Sequence, residues 1–295
     1  MNAKKAGFDG VERTSNLSRT LSLFDTALHT VHSANGYLMH QFLDYNSNQR
    51  TDEWGGSVEN RCRLGLECLK VLIEVWGPAR VGIKISPCAG YNDVGYVTLS
   101  SAVSILSSFC RMPLPDTMQT FIHYLTQISS MKIAYVQLVR YVPLKDPILS
   151  VKPNVKQMVD GNSDREYKRG TPHDVLTVYG SIIKPPPKSL QNHSEEQIRG
   201  PAMPNPDFDH RNPTPTRLFV NGGLSPEEAE SFLAQGIVDG VVFGTLWISN
   251  PDLQKRMEKG LPLNTKPEVK TFYVGRGDDI RAGYTTYPEA EGSNL

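Results

Sequence analysis

The sequence predicts an α/β fold built on a parallel sheet, and three observations carry the prediction. Short β-branched runs recur along the chain: "RVGIKISP" (Arg80 to Pro87), "IAYVQLV" (Ile133 to Val139), "RLFVNGG" (Arg217 to Gly223) and "VDGVVFG" (Val238 to Gly244). Each has the pattern of a buried strand. Amphipathic helical segments lie between them, and strand, helix, strand in repetition means βαβ units with parallel strands. The length, 295 residues, allows one large domain, and single α/β barrels commonly reach ~250 residues.

Taken in order, "AGFDGVE" (Ala6 to Glu12) and "VHSANGYL" (Val31 to Leu38) read as one strand and its C-terminal end. A Ser/Thr-rich, weakly patterned wedge separates them, Arg13 to Thr30. In "SVENRCRLGLECLKVLIEVWG", Cys62, Leu66, Leu69, Ile73 and Trp76 recur at alternating spacings of four and three and so share one helix face. Ser57 is the expected N-cap and Gly77 the expected stop. From Tyr141 to Thr216 the chain is polar and proline-rich, far longer than a normal connection, which predicts a partly disordered loop excursion. Two helix starts follow. In "GGLSPEEAESFLAQG", Ser225 caps, Pro226 takes the first helical position and Glu228 completes a capping box. In "SNPDLQKRMEKG", Asn250 caps and Pro251 follows. Both helices come after strands ending in glycine, Gly222 and Gly223 in one case and Gly244 in the other. Backbone N–H groups at such turns form an anion site, because no Cβ blocks a phosphate and the helix end is positive. In α/β barrels the last two strands usually hold that site. The plainer role of the same glycines is to allow tight turns.

Composition narrows the partners. Acidic and basic side chains balance at 31 each, so no field gathers nucleic acid or an anionic membrane surface. A small neutral or weakly charged ligand is the better expectation. Cys62, Cys68, Cys88 and Cys110 form no C-x-x-C pair and lack the histidine spacing of a zinc site, as expected of reduced thiols in an intracellular protein. No window reaches the ~18 apolar residues of a membrane span, and "MNAKKAGFDGVERTSN" lacks a secretory apolar run. A cytoplasmic location is the expectation.

The chemistry concentrates in "VHSANGYLMHQFLD", Val31 to Asp44, where a strand end is followed closely by His32, Asn35 and Tyr37. A lone histidine at a strand end is most often a hydrogen-bonded structural residue. "HSANGYLMHQFLD" with "NSNQRTDEWGGSVENR" together, however, closely resembles the old yellow enzyme family, the NADPH dehydrogenases or ene-reductases. The similarity continues through "VGIKISP", "FVNGGLSPEEAE" and "FGTLWISNPDLQKRMEKGLPLN" to "TFY". The resemblance implies a TIM (β/α)8-type barrel, FMN as cofactor with NADPH as reductant, and reduction of the C=C bond of an α,β-unsaturated carbonyl compound, an enone or enal. It implies that His32 and Asn35 grip the substrate carbonyl, that Tyr37 hands a proton to the α-carbon, and that Tyr273 lines the substrate. Donors fixed on the carbonyl oxygen lower the barrier as charge builds there. A tyrosine, with an ordinary pKa of ~10, stays neutral and can give its proton. Arg50, Asp52 and Glu53 in "RTDEWGG" read as loop-holding ion pairs and caps, and His40 as a solvated or hydrogen-bonded helix residue.

The resemblance also implies what is altered. Lys84 stands where the family usually has an arginine facing the flavin, so its charge remains but the bidentate fork is lost. Thr245 follows Gly244 where a phosphate-binding arginine is usual, and neutral hydrogen bonds are about half as strong as charged ones. Lys84, Gly222, Gly223, Gly244 and Thr245 are the expected flavin contacts. The matching blocks correspond to about the fourth to eighth strands, one partial FMN-binding domain over 1–295 with the wedge at 13–30 and the excursion at 141–216. A barrel closes only with all its strands. The expectation is therefore an open half-barrel, one completed by a second copy or partner chain, or a truncated or misjoined gene model. Function follows as an FMN-dependent NADPH dehydrogenase or ene-reductase, fungal in type and serving secondary metabolism. The alternative is a degenerate carbonyl-binding protein or isomerase that has lost its flavin.

Overall fold

The computed structural model describes residues 12–14, 28–88, 112, 114–142, 173–185, 215–272 and 279–290. Tyr273, Cys110 and most of the 141–216 excursion lie outside the described residues.

Six strands form one all-parallel sheet in chain order: β1 (Glu12–Thr14), β2 (Leu28–Ser33), β3 (Val81–Ile85), β4 (Tyr135–Val139), β5 (Arg217–Asn221) and β6 (Gly240–Val242). Among the described residues β6 does not pair with β1, so the described sheet is open. The sequence expectation is corrected at its start. The stretches on either side of the wedge are not one interrupted strand: Glu12 pairs with Leu28 and Thr14 with Thr30, side by side. Strand β2 begins inside the wedge, because Thr30 and Val31 are β-branched and run on into His32 without a turn residue.

Helix α1 (Leu38–Leu43) follows β2 directly, and α2 (Val58–Trp76) starts and stops where the caps predict. Ser57 accepts from the Asn60 N–H, and Gly77, at φ 77°, closes the helix onto the Ile73 carbonyl. Helix α3 (Leu114–Ser130) packs beside α2, and α4 (Val175–Ile183) beside α3. Inside the expected excursion, α4 buries Val175, Tyr179 and Ile183, and its N-cap Asp174 accepts from the Leu176 N–H. A helix forms there because "VLTVYGSII" offers apolar side chains to three neighbours, β4, β5 and α3.

One face of the sheet carries Val31, Ile83, Ile85, Val136, Leu138, Leu218 and Val220, which pack against Cys62, Leu69, Phe121, Leu125, Ile128 and Tyr179 of the helices. This is the core. The opposite face is more polar. Thr30, Gly82 and Tyr135 form one row, and His32, Lys84, Gln137 and Phe219 form the next. The Tyr135 hydroxyl reaches across to Thr30 Oγ1, and its ring stacks on Phe219 at 5.0 Å. Gly82 lies under that ring, where any Cβ would overlap it.

Helices α5 (Pro226–Ala234), α6 (Thr245–Ser249) and α7 (Leu253–Lys259) complete the chain. Ser225 caps α5 by accepting from the Glu228 N–H at 3.2 Å, while the Glu228 carboxylate pairs with Arg140 at 2.8 Å. Asn250 is not the N-cap of the following helix, because the turn Pro251–Asp252 intervenes and Asp252 takes that position. Asn250 instead closes α6 and uses its amide both ways: Nδ2 donates to the Leu246 and Asn264 carbonyls and Oδ1 accepts from the Asn264 N–H. Gly244 accordingly opens the five-residue α6, not the Asn250 helix.

Candidate functional site

The expected site residues that are described lie at the C-terminal ends of the parallel strands, where ligands bind in α/β sheets. His32 is the penultimate residue of β2 and Lys84 the penultimate residue of β3, and the two are register partners. Gly222 and Gly223 follow β5, and Gly244 and Thr245 follow β6. His32 and Gly222 are separated by β3 and β4, three inter-strand steps of ~4.8 Å or ~14 Å in all.

The His32–Tyr37 stretch forms a compact turn. Asn35 has φ 56° and Gly36 φ 72°, both left-handed, a region that asparagine tolerates better than most side chains. The Tyr37 N–H returns to the Ala34 carbonyl at 3.2 Å, and Tyr37 then heads α1. The turn is clamped from below. The Asn35 N–H donates to Ser86 Oγ at 2.7 Å and the Gly36 N–H to His40 Nδ1 at 3.2 Å, with Ser86 Oγ and His40 Nδ1 3.4 Å apart. His40 is buried, not solvated, its ring edge-on to Phe121 at 5.7 Å. Burial drives its pKa down to about 4, so it is neutral and its Nδ1 is an acceptor.

His32 is half-buried and its ring is defined by two contacts. Its Nδ1 accepts the Ala34 N–H at 3.3 Å, and its ring meets that of Tyr37 edge-on at 4.8 Å. Burial lowers its pKa, and the Lys84 ammonium beside it lowers it further. Since Nδ1 accepts, the neutral ring carries its proton on Nε2. Tyr37 is 55% exposed, so its side chain meets solvent while its ring meets that of His32.

At the other end of the row, Gly222 (φ 112°) and Gly223 (φ 66°) form a turn that no side chain could take without strain. A Cβ on Gly222 would also come within 2.9 Å of the Arg140 carbonyl oxygen. Gly244 differs: its φ is −117° and a Cβ there meets nothing within 4 Å, so open space rather than backbone geometry accompanies it.

Sequence reasoning missed several residues of this region. Gln137 is almost fully buried next to Lys84, and its signal is a lone amide within the apolar "YVQLV". Ser86 has no local signal, because the turn it holds lies 51 residues away. Arg61 is buried under the loop that follows α1, donating to the Leu43 carbonyl at 2.9 Å, to Thr120 Oγ1 at 2.8 Å and to the Gly56 carbonyl. Arg50 and Asp52 pair as expected, while Glu53 contributes its backbone carbonyl, which accepts from Arg63. Cys88 lies 3.5 Å from His173 Nδ1, and His173 Nε2 lies 2.8 Å from the Tyr179 hydroxyl. Burial pushes both the Cys62 and Cys88 thiols up to about 12, so neither is a thiolate. Among the described residues no three His, Cys, Asp or Glu side chains gather as a metal site, and no helix is long and apolar enough to cross a membrane.

Comparison with known proteins gives the family context. Residues 1–107 match the NADH:flavin oxidoreductase / NADH oxidase family. The chain is 29% identical over 293 residues to a "probable inactive reductase easA" of Epichloe festucae var. lolii, covering 97% of this chain and 54% of that protein. It is 31% identical over 288 residues to a "probable flavin mononucleotide-dependent alkene reductase" of Leishmania infantum, covering 97% and 52%. Among solved structures, the old yellow enzyme homologue of Zymomonas mobilis aligns with a TM-score of 0.56 at 24% identity, over 98% of this chain and 55% of that one. That likeness shows the fold. The chain spans about half the length of the curated relatives it matches.

Proposed function

We propose that this chain, which belongs to the NADH:flavin oxidoreductase / NADH oxidase family of the old yellow enzymes, is an FMN-dependent ene-reductase. In this reading it reduces the C=C bond of a small α,β-unsaturated carbonyl compound with NADPH as reductant, in the making of a secondary metabolite. The observation that carries the proposal is the state of His32. Its Nδ1 is occupied by the Ala34 N–H, and burial with the neighbouring Lys84 keeps the ring neutral. The remaining proton sits on Nε2, free to be donated to a carbonyl oxygen.

Asn35 supplies the second donor from a turn held rigid in a left-handed conformation. As negative charge develops on the carbonyl oxygen, both hydrogen bonds strengthen, which is how fixed donors lower a barrier. Tyr37 then gives its phenolic proton to the α-carbon, and its exposed side lets water restore that proton. FMN, when bound, supplies the hydride. The residues present fit it: Lys84 is a cation on the same sheet row as His32, and the Gly222–Gly223 turn and the open Gly244–Thr245 step lie at the adjoining strand ends. Lys84 would lie against the ring, and the glycine turns with Thr245 would hold the phosphate through backbone N–H groups and a hydroxyl. Without a guanidinium at these places, FMN should bind more weakly than in relatives that have one.

Two measurements test the reading. The full chain, incubated with FMN and desalted, should retain a yellow absorption band that bleaches anaerobically with NADPH. A colourless chain would refute it. Tyr37→Phe should lower turnover of an enone by ~10²-fold or more while leaving substrate affinity nearly unchanged, the signature of a lost proton donor. Unchanged turnover would remove Tyr37 from that role.

A second reading has its own support. The open six-stranded sheet and the name of the easA relative, a "probable inactive reductase", favour a carbonyl-binding protein without redox activity. Within the first reading, a second copy or a partner chain covers the edges β1 and β6 of an incomplete barrel, since bare edges expose unpaired N–H and C=O groups.

A further inference from the structure

We propose that Ser86 and His40 are positioning residues that set the grip of Asn35 on a carbonyl oxygen, an inference that rests on the reading of His32 and Asn35 as the carbonyl site. Left-handed backbone at a non-glycine residue is costly and persists only where the surroundings impose it. Here two successive N–H groups are each captured by a side chain from a different element. Asn35 donates to Ser86, just past β3, and Gly36 donates to His40, in α1.

The clamp is a chain of defined direction. His40 Nδ1 is an acceptor, so the 3.4 Å contact with Ser86 is donated by the Ser86 hydroxyl. That leaves the lone pairs of Ser86 Oγ for the Asn35 N–H at 2.7 Å. Gly36 and Ser86 thus converge on one ring nitrogen, and the ring itself is wedged against Phe121 of α3. His32 belongs to β2, whereas the clamp on Asn35 comes from Ser86, the residue that follows β3. The spacing between the two proposed donors is therefore set by how these strands and α1 pack, not by the turn alone. Losing the acceptor at position 40 leaves the buried Gly36 N–H unpaired, and losing the hydroxyl at position 86 leaves the partly buried Asn35 N–H unpaired, so either loss removes a bond that holds the left-handed turn.

The test is calorimetric titration of the full chain, with FMN present, using 2-cyclohexen-1-one as the probe, alongside thermal unfolding of each variant. Ser86→Ala and His40→Leu should each weaken binding about tenfold, as Asn35→Ala should, since one lost hydrogen bond is of this order. His40→Asn, whose Oδ1 can replace the Nδ1 acceptor, should bind within about threefold of the wild type, distinguishing a lost acceptor from a lost core side chain. Ser86→Ala combined with Asn35→Ala should be no weaker than Asn35→Ala alone, because both act through one group. Binding by Ser86→Ala and His40→Leu equal to the wild type, with Asn35→Ala weakened, would overturn the positioning role and leave the carbonyl site standing. Fully additive losses would overturn it as well. A wild-type chain that ignores the probe, or an Asn35→Ala chain that binds it normally, would overturn the carbonyl reading itself and this inference with it.

Discussion

Replacing Arg61 with methionine should destabilise the chain by about 3–5 kcal/mol, read as a lower urea midpoint at unchanged slope. The buried guanidinium serves three acceptors from separate parts of the fold: the Leu43 carbonyl at the end of α1, the Gly56 carbonyl before α2 and Thr120 Oγ1 in α3. It also lies over the Tyr45 ring at 5.5 Å. Methionine fills similar space but donates to none of them, and each orphaned buried acceptor costs ~1–3 kcal/mol. Arg61→Lys should recover only part of the loss, because an ammonium lacks the planar fork that reaches three acceptors at once. A midpoint shift equivalent to less than about 1 kcal/mol for Arg61→Met would mean that water replaces the guanidinium, and the loop from 44 to 56 would then owe its order to other contacts. Asn48 is the first candidate, with Nδ2 donating to both the Phe42 and Trp54 carbonyls.

Acidification should produce the second large effect. His40 is neutral in the folded chain with a pKa lowered to about 4 from the ordinary 6.5, and the cause is burial, with a smaller contribution from His32. The unfolded chain therefore binds a proton that the folded chain refuses between these two values. Stability is at its full level above about pH 6.5 and falls as pH drops toward about 4. The window spans about 2.5 units, which corresponds to about 3 kcal/mol at ~1.4 kcal/mol per unit. His32, whose pKa is also lowered, adds in the same direction. Urea midpoints measured from pH 7 down to pH 4 should fall steadily, and the fall should be shallower in His40→Asn, which has no ring to protonate. An identical pH dependence in that variant would show that other groups govern acid stability.

Much of the fold is legible in local patterns. The helix from Val58 to Trp76 follows from its apolar spacing and its caps, and the centres of β3, β4, β5 and β6 from their β-branched runs. The H-x-x-N-x-Y stretch is legible because its three chemical residues are close in the chain. The first two strands are not separable in the sequence, since a weakly patterned segment gives no sign of where one parallel strand ends and its neighbour begins. Helix α4 was hidden because proline-rich flanks dominate the composition around "VLTVYGSII".

The chain alone determined which side chains lie within one turn of one another: His32 near Tyr37, Ser57 below Asn60, the paired glycines after Val220 and Asn221. Their spacing is covalent, and helix and turn geometry act within a few residues. The tertiary structure alone decided which residues share a sheet row and which meet across elements. Lys84 stands beside His32 and lowers its pKa only because β2 and β3 pair in that register. Ser86 and His40 reach the Asn35 turn only because α1 folds back over the end of β3. The charge state of a histidine and the rigidity of a left-handed turn depend on burial and on partners distant in sequence, and those are properties of packing rather than of local order in the chain.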